Sequence, residues 1–269
     1  MVAGSIIFLA YLISSAVKGD NSLHGNISRR IVRGFHVNIN SFPHAVFLYF
    51  SSVKPSTCGS SLITTKAVVT SAHCMREMKL NQGGIYAYLG SSVPIYAKVV
   101  RNITCFKIHP NYNPAKGKYD LAVAKFNREV PIGKGIHKIP ISLNSLVDND
   151  ALFSAGWGKQ WPLVLPDYSD MRHLEVTKQR VLSMNECLEY TGIRISPAYI
   201  CTLPLTGYHY QGDMGNGLVT TKPSRALVGV VSFMVRGATL YASLLNERPW
   251  LRETVKVLYK KEPVDKDCC

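Results

Sequence analysis

Short apolar or alternating runs, separated by clusters of turn residues, place the strongest limit on the fold of this chain. Turn-forming stretches such as "NQGG" and "HPNYNPAKGK" lie between the runs. Many short strands at this spacing are typical of an all-β sandwich or of barrels. The runs are "HAVFLYF" (44–50), "KAVVTSA" (66–72), "IYAYLG" (85–90), "DLAVAKF" (120–126) and "ALVGVVSFM" (226–234).

The end of the chain departs from this pattern. Trp250, Leu251, Val255 and Leu258 lie at helical spacing, with Lys and Arg residues between them. An apolar stripe with cations on the opposite face is typical of an amphipathic helix. We therefore predict a C-terminal helix over residues 248–261.

The first residues read as a targeting segment and not as part of the fold. The apolar run from Ile6 to Ile13 is followed by small residues, which predicts a signal peptide over residues 1–19, cut after Ala16 or Gly19. The run is too short for the roughly 20 apolar residues that a membrane-spanning helix needs. We expect a secreted, extracellular protein with no membrane partner, and a short propeptide over residues 20–30.

The chain is strongly basic, with a formal net charge of +14 over 269 residues. Such a charge predicts affinity for polyanions such as glycosaminoglycans. The alternative is a soluble basic surface without a polyanionic ligand, and the even spread of the charges along the chain slightly favours it. The sequence suggests no metal, no cofactor and no specific nucleic-acid partner.

Cysteines and sequons fit a secreted protein. Seven cysteines in such a chain imply disulfides, and the odd count leaves one cysteine over. The sequons at Asn26 and Asn102 predict N-glycosylation. The first of these lies in the segment that we expect to be removed.

Three motifs follow one another in an order that suggests catalysis. His73 lies in "VTSAHC", Asp120 opens the apolar strand of "KYDLAVAKF", and Met214 lies in "QGDMGNG". A carboxylate at the start of an apolar strand is costly to bury without a partner. An imidazole is the natural partner, because the carboxylate fixes its tautomer and stabilises its cation.

These motifs resemble those of the trypsin/chymotrypsin family, and the resemblance covers residues 31 to about 260. "IVRGF" resembles the mature start of the family, "CGSSLI" and "VTSAHC" its first disulfide and histidine loop, and "SAGWG" the segment before its autolysis loop. "ICTL" is similar to insect chymotrypsins in particular, and "GVVSF" also matches the family. The resemblance implies two antiparallel six-stranded β-barrels packed across a cleft, with a C-terminal α-helix. It implies a protease-like domain over residues 31–262 and a tail over residues 263–269.

The nucleophile position departs from the family. Met214 stands where the family has its serine, and a thioether has no proton to give and no useful reactivity toward amides. In a comparable protease, loss of the serine lowers kcat by a factor on the order of 10⁶. Asn216 and Gly217 replace a glycine and a proline, and Tyr210 replaces a pocket cysteine. The resemblance therefore implies a catalytically inactive homologue.

The specificity pocket departs as well. By resemblance, Tyr208 lies at the floor of the specificity pocket, and Ser232 and Met234 belong to the same pocket. Met234 replaces a glycine that admits the substrate side chain. We expect Met214, Tyr208, Tyr210 and Met234 together to fill or reshape the pocket.

Other site residues are retained. The resemblance gives Gly212 a place in the oxyanion hole. It also gives Asp213 the role of pairing with the new amino terminus after cleavage between Arg30 and Ile31. For His73 and Asp120 we favour a buried pair that supports the fold over residual chemistry.

The resemblance also assigns cysteines. It implies the disulfides Cys58–Cys74 and Cys187–Cys201. For Cys105 we predict a bridge to Cys268 or Cys269, which would tie the C-terminal tail to the first barrel.

The leading interpretation is a secreted, non-catalytic serine protease homologue that binds another protein, as a decoy, cofactor or regulator of proteases. The partner would be a protease, an inhibitor or a substrate. One alternative is a polyanion-binding secreted protein. Another is a weak residual hydrolase that uses His73 and water.

Overall fold

The structure is a computed structural model that describes residues 34–52, 55–81, 83–115, 118–158, 173–210, 212–221 and 224–260. The predicted signal peptide, propeptide and tail lie outside the described residues. The strands are β1 (Phe35–His36), β2 (Ala45–Ser51), β3 (Ser56–Leu62), β4 (Ala67–Thr70), β5 (Gly84–Leu89), β6 (Val99–Ile108), β7 (Ala122–Phe126), β8 (Ala151–Gly156), β9 (Glu175–Val181), β10 (Tyr199–Thr206), β11 (Gly217–Val219), β12 (Leu227–Val235) and β13 (Ala238–Ser243). The α-helices are α1 (Ala72–Asn81), α2 (Met184–Thr191) and α3 (Arg248–Lys260).

The first barrel closes in the order β2-β3-β4-β7-β6-β5, with antiparallel pairing throughout. Side chains alternate along each strand, as the period of two requires. In β2, for example, Val46, Leu48 and Phe50 fill the barrel interior, whereas Phe47 faces the second barrel. The alternating "HAVFLYF" run therefore supplies the core of one barrel and part of the interface between the two.

The second barrel is built from β8 to β13. Its strands follow the order β9-β10-β13-β12-β11-β8, and a direct pairing of β8 with β9 closes it. Its interior is lined by apolar side chains such as Leu152, Leu218, Val231 and Tyr241. Two antiparallel six-stranded barrels with a C-terminal helix are thus confirmed.

A shared apolar layer joins the two barrels. Phe47 and Trp157 meet edge to face across it, with ring centroids 5.6 Å apart. The indole Nε1 of Trp157 donates a hydrogen bond of 2.8 Å to the carbonyl of Ser92. Because the indole nitrogen is satisfied, the large ring can be buried between the barrels at low cost.

Both ends of the described chain cross to the opposite barrel. β1 pairs with β9 of the second barrel, although it precedes the first. Helix α3 follows the second barrel but packs on β6 and β7 of the first, burying Leu251 and Leu258. The predicted helix is confirmed over residues 248–260, and residue 261 lies outside the described residues. Within the described ranges no helix is long and apolar enough to cross a membrane.

Candidate active site in the cleft between the barrels

A cavity of about 440 Å³ lies where the barrels meet, and it collects the residues that the motifs singled out. Both barrels contribute side chains to it, as an interdomain cleft requires. Its size falls within the roughly 300–1,000 Å³ that is usual for ligand pockets. Its walls are mainly apolar or aromatic and are formed by His73, Tyr112, Pro114, Ala115, Asp120, Tyr199, Met214, Ser232 and Phe233.

Asp120 is only 4 % exposed, and it is satisfied by two short hydrogen bonds. Its Oδ1 accepts from the backbone N–H of His73 at 2.7 Å, and its Oδ2 accepts from Ser232 Oγ at 2.6 Å. Burial raises the pKa of the Asp120 carboxyl, and these hydrogen bonds and the nearby His73 oppose that rise. The pair therefore ties the start of helix α1 and strand β12 to one carboxylate.

The residue before Asp120 is held in an uncommon conformation. Tyr119 has a φ of +53°, in the left-handed region that costs a non-glycine residue roughly 1–3 kcal/mol. Its ring stacks on that of His109 at 4.8 Å, and His109 Nε2 lies 3.0 Å from Glu247 Oε2. Packing around His109 thus stabilises the turn that delivers Asp120 to the cavity.

Met214 occupies a loop whose backbone keeps an exacting shape. The carbonyl of Met214 accepts a hydrogen bond of 2.8 Å from Gly59 N–H of the first barrel. Gly212 and Gly215 have φ values of +93° and +90°, and a Cβ on either would meet a backbone carbonyl. The half-buried Met214 side chain packs against the core of the first barrel and lines the cavity with His73.

Two backbone donors beside Met214 are available to a ligand. Within the described part of the chain, neither Gly212 N–H nor Met214 N–H donates a hydrogen bond. Paired N–H groups of this kind can stabilise a negatively charged oxygen. The predicted role of Gly212 in an oxyanion hole stays a prediction.

Asp213 is fully buried and points away from the cavity, into the second barrel. Its Oδ1 accepts from Gly158 N–H and from Asn216 Nδ2, both at 2.9 Å. Its Oδ2 accepts from Tyr210 N–H at 3.0 Å and lies 3.6 Å from His209 Nδ1. Arg30 and Ile31 lie outside the described residues, so the predicted pairing of Asp213 with a new amino terminus is not tested.

Asn216 has a definite place in this arrangement. Its side chain enters a space left by two glycines, since a Cβ on Gly59 or Gly156 would clash with it. Gly59 belongs to β3 of the first barrel and Gly156 to β8 of the second. The amide of Asn216 therefore reaches Asp213 across a junction that only glycines leave open.

Three of the four residues that we expect to fill or reshape the specificity pocket are exposed in the structure. Tyr208 and Tyr210 are 43 % and 45 % exposed, and Met234 is 36 % exposed; their role in the specificity pocket stays a prediction. The buried side chain is that of His209, whose Nε2 lies 2.8 Å from the Tyr241 hydroxyl. The hydrogen bond at Nε2 offsets part of the cost of burying the polar His209 ring.

Ser232 lines the cavity, and its predicted place in the specificity pocket stays a prediction. It is buried and bonds Asp120, and its Oγ also lies 3.4 Å from the Tyr199 hydroxyl. Burial raises the pKa of Tyr199 to about 12, so this residue is a neutral phenol at physiological pH.

The disulfides follow the expected pairs where both partners are described. Cys58–Cys74 joins β3 to helix α1, and Cys187–Cys201 joins helix α2 to β10. Cys105 is also disulfide-bonded. The predicted partners of Cys105, namely Cys268 and Cys269, lie outside the described residues.

Of the two sequons, only the one at Asn102 lies among the described residues. Asn102 lies on β6 with an exposed side chain, as a glycosylated asparagine requires. Asn26 lies outside the described residues. Glycosylation at both sites stays a prediction.

Comparison with known proteins places this site in a family. The family model described as Trypsin matches residues 31–243. The chain is 28 % identical over 255 residues to a trypsin from Sarcophaga bullata, covering 92 % of this chain and 96 % of that protein. It is 30 % identical over 230 residues to trypsin delta from Drosophila melanogaster (82 % and 87 % covered) and 28 % identical over 249 residues to a venom serine protease from Polistes dominula (87 % of each). The chain belongs to the trypsin family of serine proteases, as the motifs around His73, Asp120 and residues 211–217 predicted.

Proposed function

We propose that this trypsin-family protein is secreted, has lost peptide hydrolysis, and acts by binding another protein in its former catalytic cleft. The observation that carries the proposal is Met214, whose thioether lines the cavity beside His73 and Asp120. Covalent catalysis of this kind needs a nucleophile whose proton an adjacent base can take. A thioether has no such proton, so His73 has nothing to deprotonate.

The environment of Asp120 supports a structural role for the retained pair. Both carboxylate oxygens accept hydrogen bonds, from His73 N–H and from Ser232 Oγ, and these contacts anchor α1 and β12. Loss of either partner would leave a buried acceptor unsatisfied, which costs about 1–3 kcal/mol. The fold therefore gives Asp120 a structural role without continuing catalysis, whereas the bond from His73 comes from its backbone and does not depend on the imidazole.

The shape of the cleft supports binding of an extended segment. β12 pairs with β13 along residues 229–235, whereas its pairing with β11 ends at Val230. Among the residues that the structure describes, no strand pairs with this edge of residues 232–235, and a peptide could add a strand there. Phe233 and Met214 offer apolar surface for one side chain of that segment.

Catalysis is tested with the secreted chain purified free of contaminating peptidases. We expect no cleavage of peptide substrates, and turnover of an activated ester equal to that of a His73→Ala variant. Peptide cleavage at the pace of an active trypsin would overturn the proposal. A lower ester rate in His73→Ala would instead identify the weak hydrolase that uses His73 and water.

Binding is tested by capturing partners from the native extracellular fluid with the purified chain. The test variant is Phe233→Ala, which removes apolar surface from the cavity. The matched control is Leu143→Ala, an exposed apolar side chain outside the cavity lining. A partner lost with Phe233→Ala and kept with Leu143→Ala supports the proposal, and partners kept by both variants refute binding in the cleft.

A second candidate, polyanion binding, is favoured by helix α3. Arg252, Lys256 and Lys260 are all exposed and follow one another at intervals of four, so they share one side of the helix. Lys256 pairs with Glu253 at 2.7 Å, which offsets part of this charge. A cationic stripe of this kind attracts sulfated polysaccharides in a salt-dependent manner.

The polyanion candidate is tested on immobilised heparin. Replacing Arg252, Lys256 and Lys260 together with neutral residues should lower the salt concentration at which the protein elutes. The decrease should be larger than that caused by replacing three exposed lysines elsewhere on the surface. The matched control set is Lys118, Lys134 and Lys138. Equal shifts in the two triple variants would show a diffuse charge effect and no site on α3.

A further inference from the structure

A second cavity, of about 640 Å³, lies outside the cleft and shares no lining residue with the cleft cavity. Its walls come from residues 36–40 and 90–93 and from Lys98, Lys134 and His173. The volume falls within the roughly 300–1,000 Å³ that is usual for ligand pockets. The cavity is therefore large enough for a small organic ligand, at a place that the cleft does not reach.

Hydrogen bonds to Ser92 fix the walls of this cavity to one another. Its hydroxyl accepts from Ile39 N–H, and its carbonyl accepts from Leu174 N–H and from the Trp157 indole, each at 2.8 Å. Val37 N–H in turn donates to the Leu174 carbonyl at 2.9 Å. The cavity is thus formed before a ligand arrives, which lowers the cost of ordering the site on binding.

The lining of the cavity is positively charged. Lys98 and Lys134 both line it, and among the described residues of its walls none is an aspartate or a glutamate. The carboxylate of Glu175 lies 3.7 Å from His36 Nδ1, but Glu175 is buried and lines no part of the cavity. Two ammonium charges are therefore present without an opposing carboxylate in the wall, which favours an anionic ligand.

Hydrogen-bond donors accompany these charges. Lys98 Nζ donates to a carbonyl of the wall at 3.0 Å, and an ammonium group has three donors, so two remain for a ligand. Within the described part of the chain, the N–H groups of Ser91 and Ser92 donate to no acceptor. The rings of His36 and His173 meet edge to face with centroids 5.2 Å apart, and an imidazole N–H can donate as well. Cations combined with such donors are suited to an oxyanion.

The charge and the polar wall together indicate which anion fits. A phosphate monoester carries about −1.5 to −2 charges near pH 7 and offers three strong acceptor oxygens, which matches two ammonium groups. A sulfate ester carries a single negative charge and matches them less well. Asn38 and Asn40 also line the cavity, and an amide side chain can donate to a hydroxyl group and accept from one. The cavity is much larger than a phosphate group, so it leaves room for a hydroxyl-bearing carrier.

We propose that this cavity binds a sugar phosphate. Lys98 and Lys134 pair with the phosphate dianion, and Asn38 and Asn40 bind hydroxyl groups of the sugar. The site is separate from the cleft. The proposal therefore stands whether or not the chain cleaves peptides and whether or not a partner binds beside Met214.

Isothermal titration calorimetry of the full secreted chain tests the proposal, with glucose 6-phosphate as the probe at low ionic strength. We expect glucose 6-phosphate to bind, and glucose 6-sulfate and inorganic phosphate to bind at least about tenfold more weakly, since each lacks part of the recognised chemistry. No heat of binding with glucose 6-phosphate would overturn the proposal. Equal affinity for the sulfate ester would overturn the preference for phosphate, and equal affinity for inorganic phosphate would overturn the role of the sugar. A heparin column is no substitute, because α3 and other exposed cations contribute to its retention.

Lysine variants locate the charge that matters. Lys98→Gln and Lys134→Gln should each weaken binding of glucose 6-phosphate by about tenfold or more, because each removes a charge-assisted hydrogen bond. Lys118→Gln and Lys138→Gln are the matched controls, since they remove the same charge at exposed positions outside the lining. The controls should change the affinity by less than about threefold. Equal losses in both sets would show attraction to the net charge alone and would refute the site.

A spectroscopic measurement locates the ligand without any variant. In ¹H–¹⁵N correlation spectra of the labelled wild-type chain, glucose 6-phosphate should shift the amide signals of residues 36–40 and 90–93. The cleft is the competing location, because Gly212 N–H and Met214 N–H are open donors there. Shifts confined to the amides of residues 212–216 would place the phosphate in the cleft and overturn the proposal.

Discussion

Acid destabilises this domain through His44 by an amount that the structure allows to be worked out. His44 is buried between the start of β2 and the ring of Phe42, and burial lowers its pKa from 6.5 to about 3, with a smaller contribution from Arg225. In the unfolded chain the same group titrates near 6.5. Between these two pH values His44 is protonated in the unfolded state and neutral in the folded state, so the free energy of unfolding falls as the pH falls.

The size of the effect follows from the difference between the two pKa values. At pH 4.5 the unfolded His44 is almost fully protonated and the folded one almost fully neutral, a gap of about two pH units at 1.36 kcal/mol each. The folded state should therefore lose about 2.5 kcal/mol between pH 7 and pH 4.5 through this residue. That is a large fraction of the roughly 5–15 kcal/mol that stabilises a typical domain.

Urea unfolding, followed by tryptophan fluorescence at pH 7, 6, 5 and 4.5, measures this loss. His44→Gln cannot titrate, so its stability should decline by about 2.5 kcal/mol less than that of the wild type over the same range. His137→Gln, at an exposed histidine, should follow the wild type. If wild type and His44→Gln lose stability in parallel, the reasoning about burial is refuted. The comparison cancels the opposite contribution of Asp120, whose raised pKa favours the folded state as the pH falls.

Three further predictions concern packing, capping and the nucleophile position. Leu258→Ala should lower the free energy of unfolding by about 2–5 kcal/mol, because the side chain is fully buried between α3 and the first barrel. A loss below about 1 kcal/mol would show that the packing of α3 contributes little to stability. Ser183→Ala should cost about 1 kcal/mol in the same urea assay, because Ser183 and Glu186 cap α2 reciprocally, and an unchanged midpoint would argue against the cap. Met214→Ser should gain hydrolysis of an activated ester that is lost again on adding His73→Ala; no gain would show that His73 is not placed to deprotonate the new serine.

Much of the fold could be predicted because its signals are local. Alternation in residues 44–50 reports directly on which faces of one strand are buried, and the stripe from Trp250 to Leu258 reports on one face of one helix. The proposed loss of the nucleophile likewise rests on a local signal, the identity of Met214, because chemical identity alone decides whether a side chain can attack a carbonyl. The disulfide between Cys58 and Cys74 was predicted from the resemblance to the family.

The surroundings of Asp213 could not be predicted in full, because they include contacts with residues distant in sequence, such as Gly158 and the Tyr241 that bonds His209. The resemblance assigned Tyr208 to the pocket floor, which stays a prediction, but it gave no sign that the neighbouring His209 is buried against the Tyr241 hydroxyl. Asn216 looked like a lapse from the family pattern. It gains a role only when Gly59 and Gly156 are seen to leave room for its amide. A histidine four residues before a buried aspartate was the one signal in the sequence that could have suggested the pair.

Because each end of the described chain packs on the opposite barrel, the two barrels depend on each other for stability. β1 pairs with β9 of the second barrel, and α3 packs on β6 and β7 of the first barrel. A fragment that stops after β7 would lack α3, so the outer faces of β6 and β7 would be exposed. A fragment that starts after β7 would lack β1, so one edge of β9 would lose its hydrogen-bonded partner strand. We therefore expect neither half of the chain to form a stable domain when it is expressed without the other.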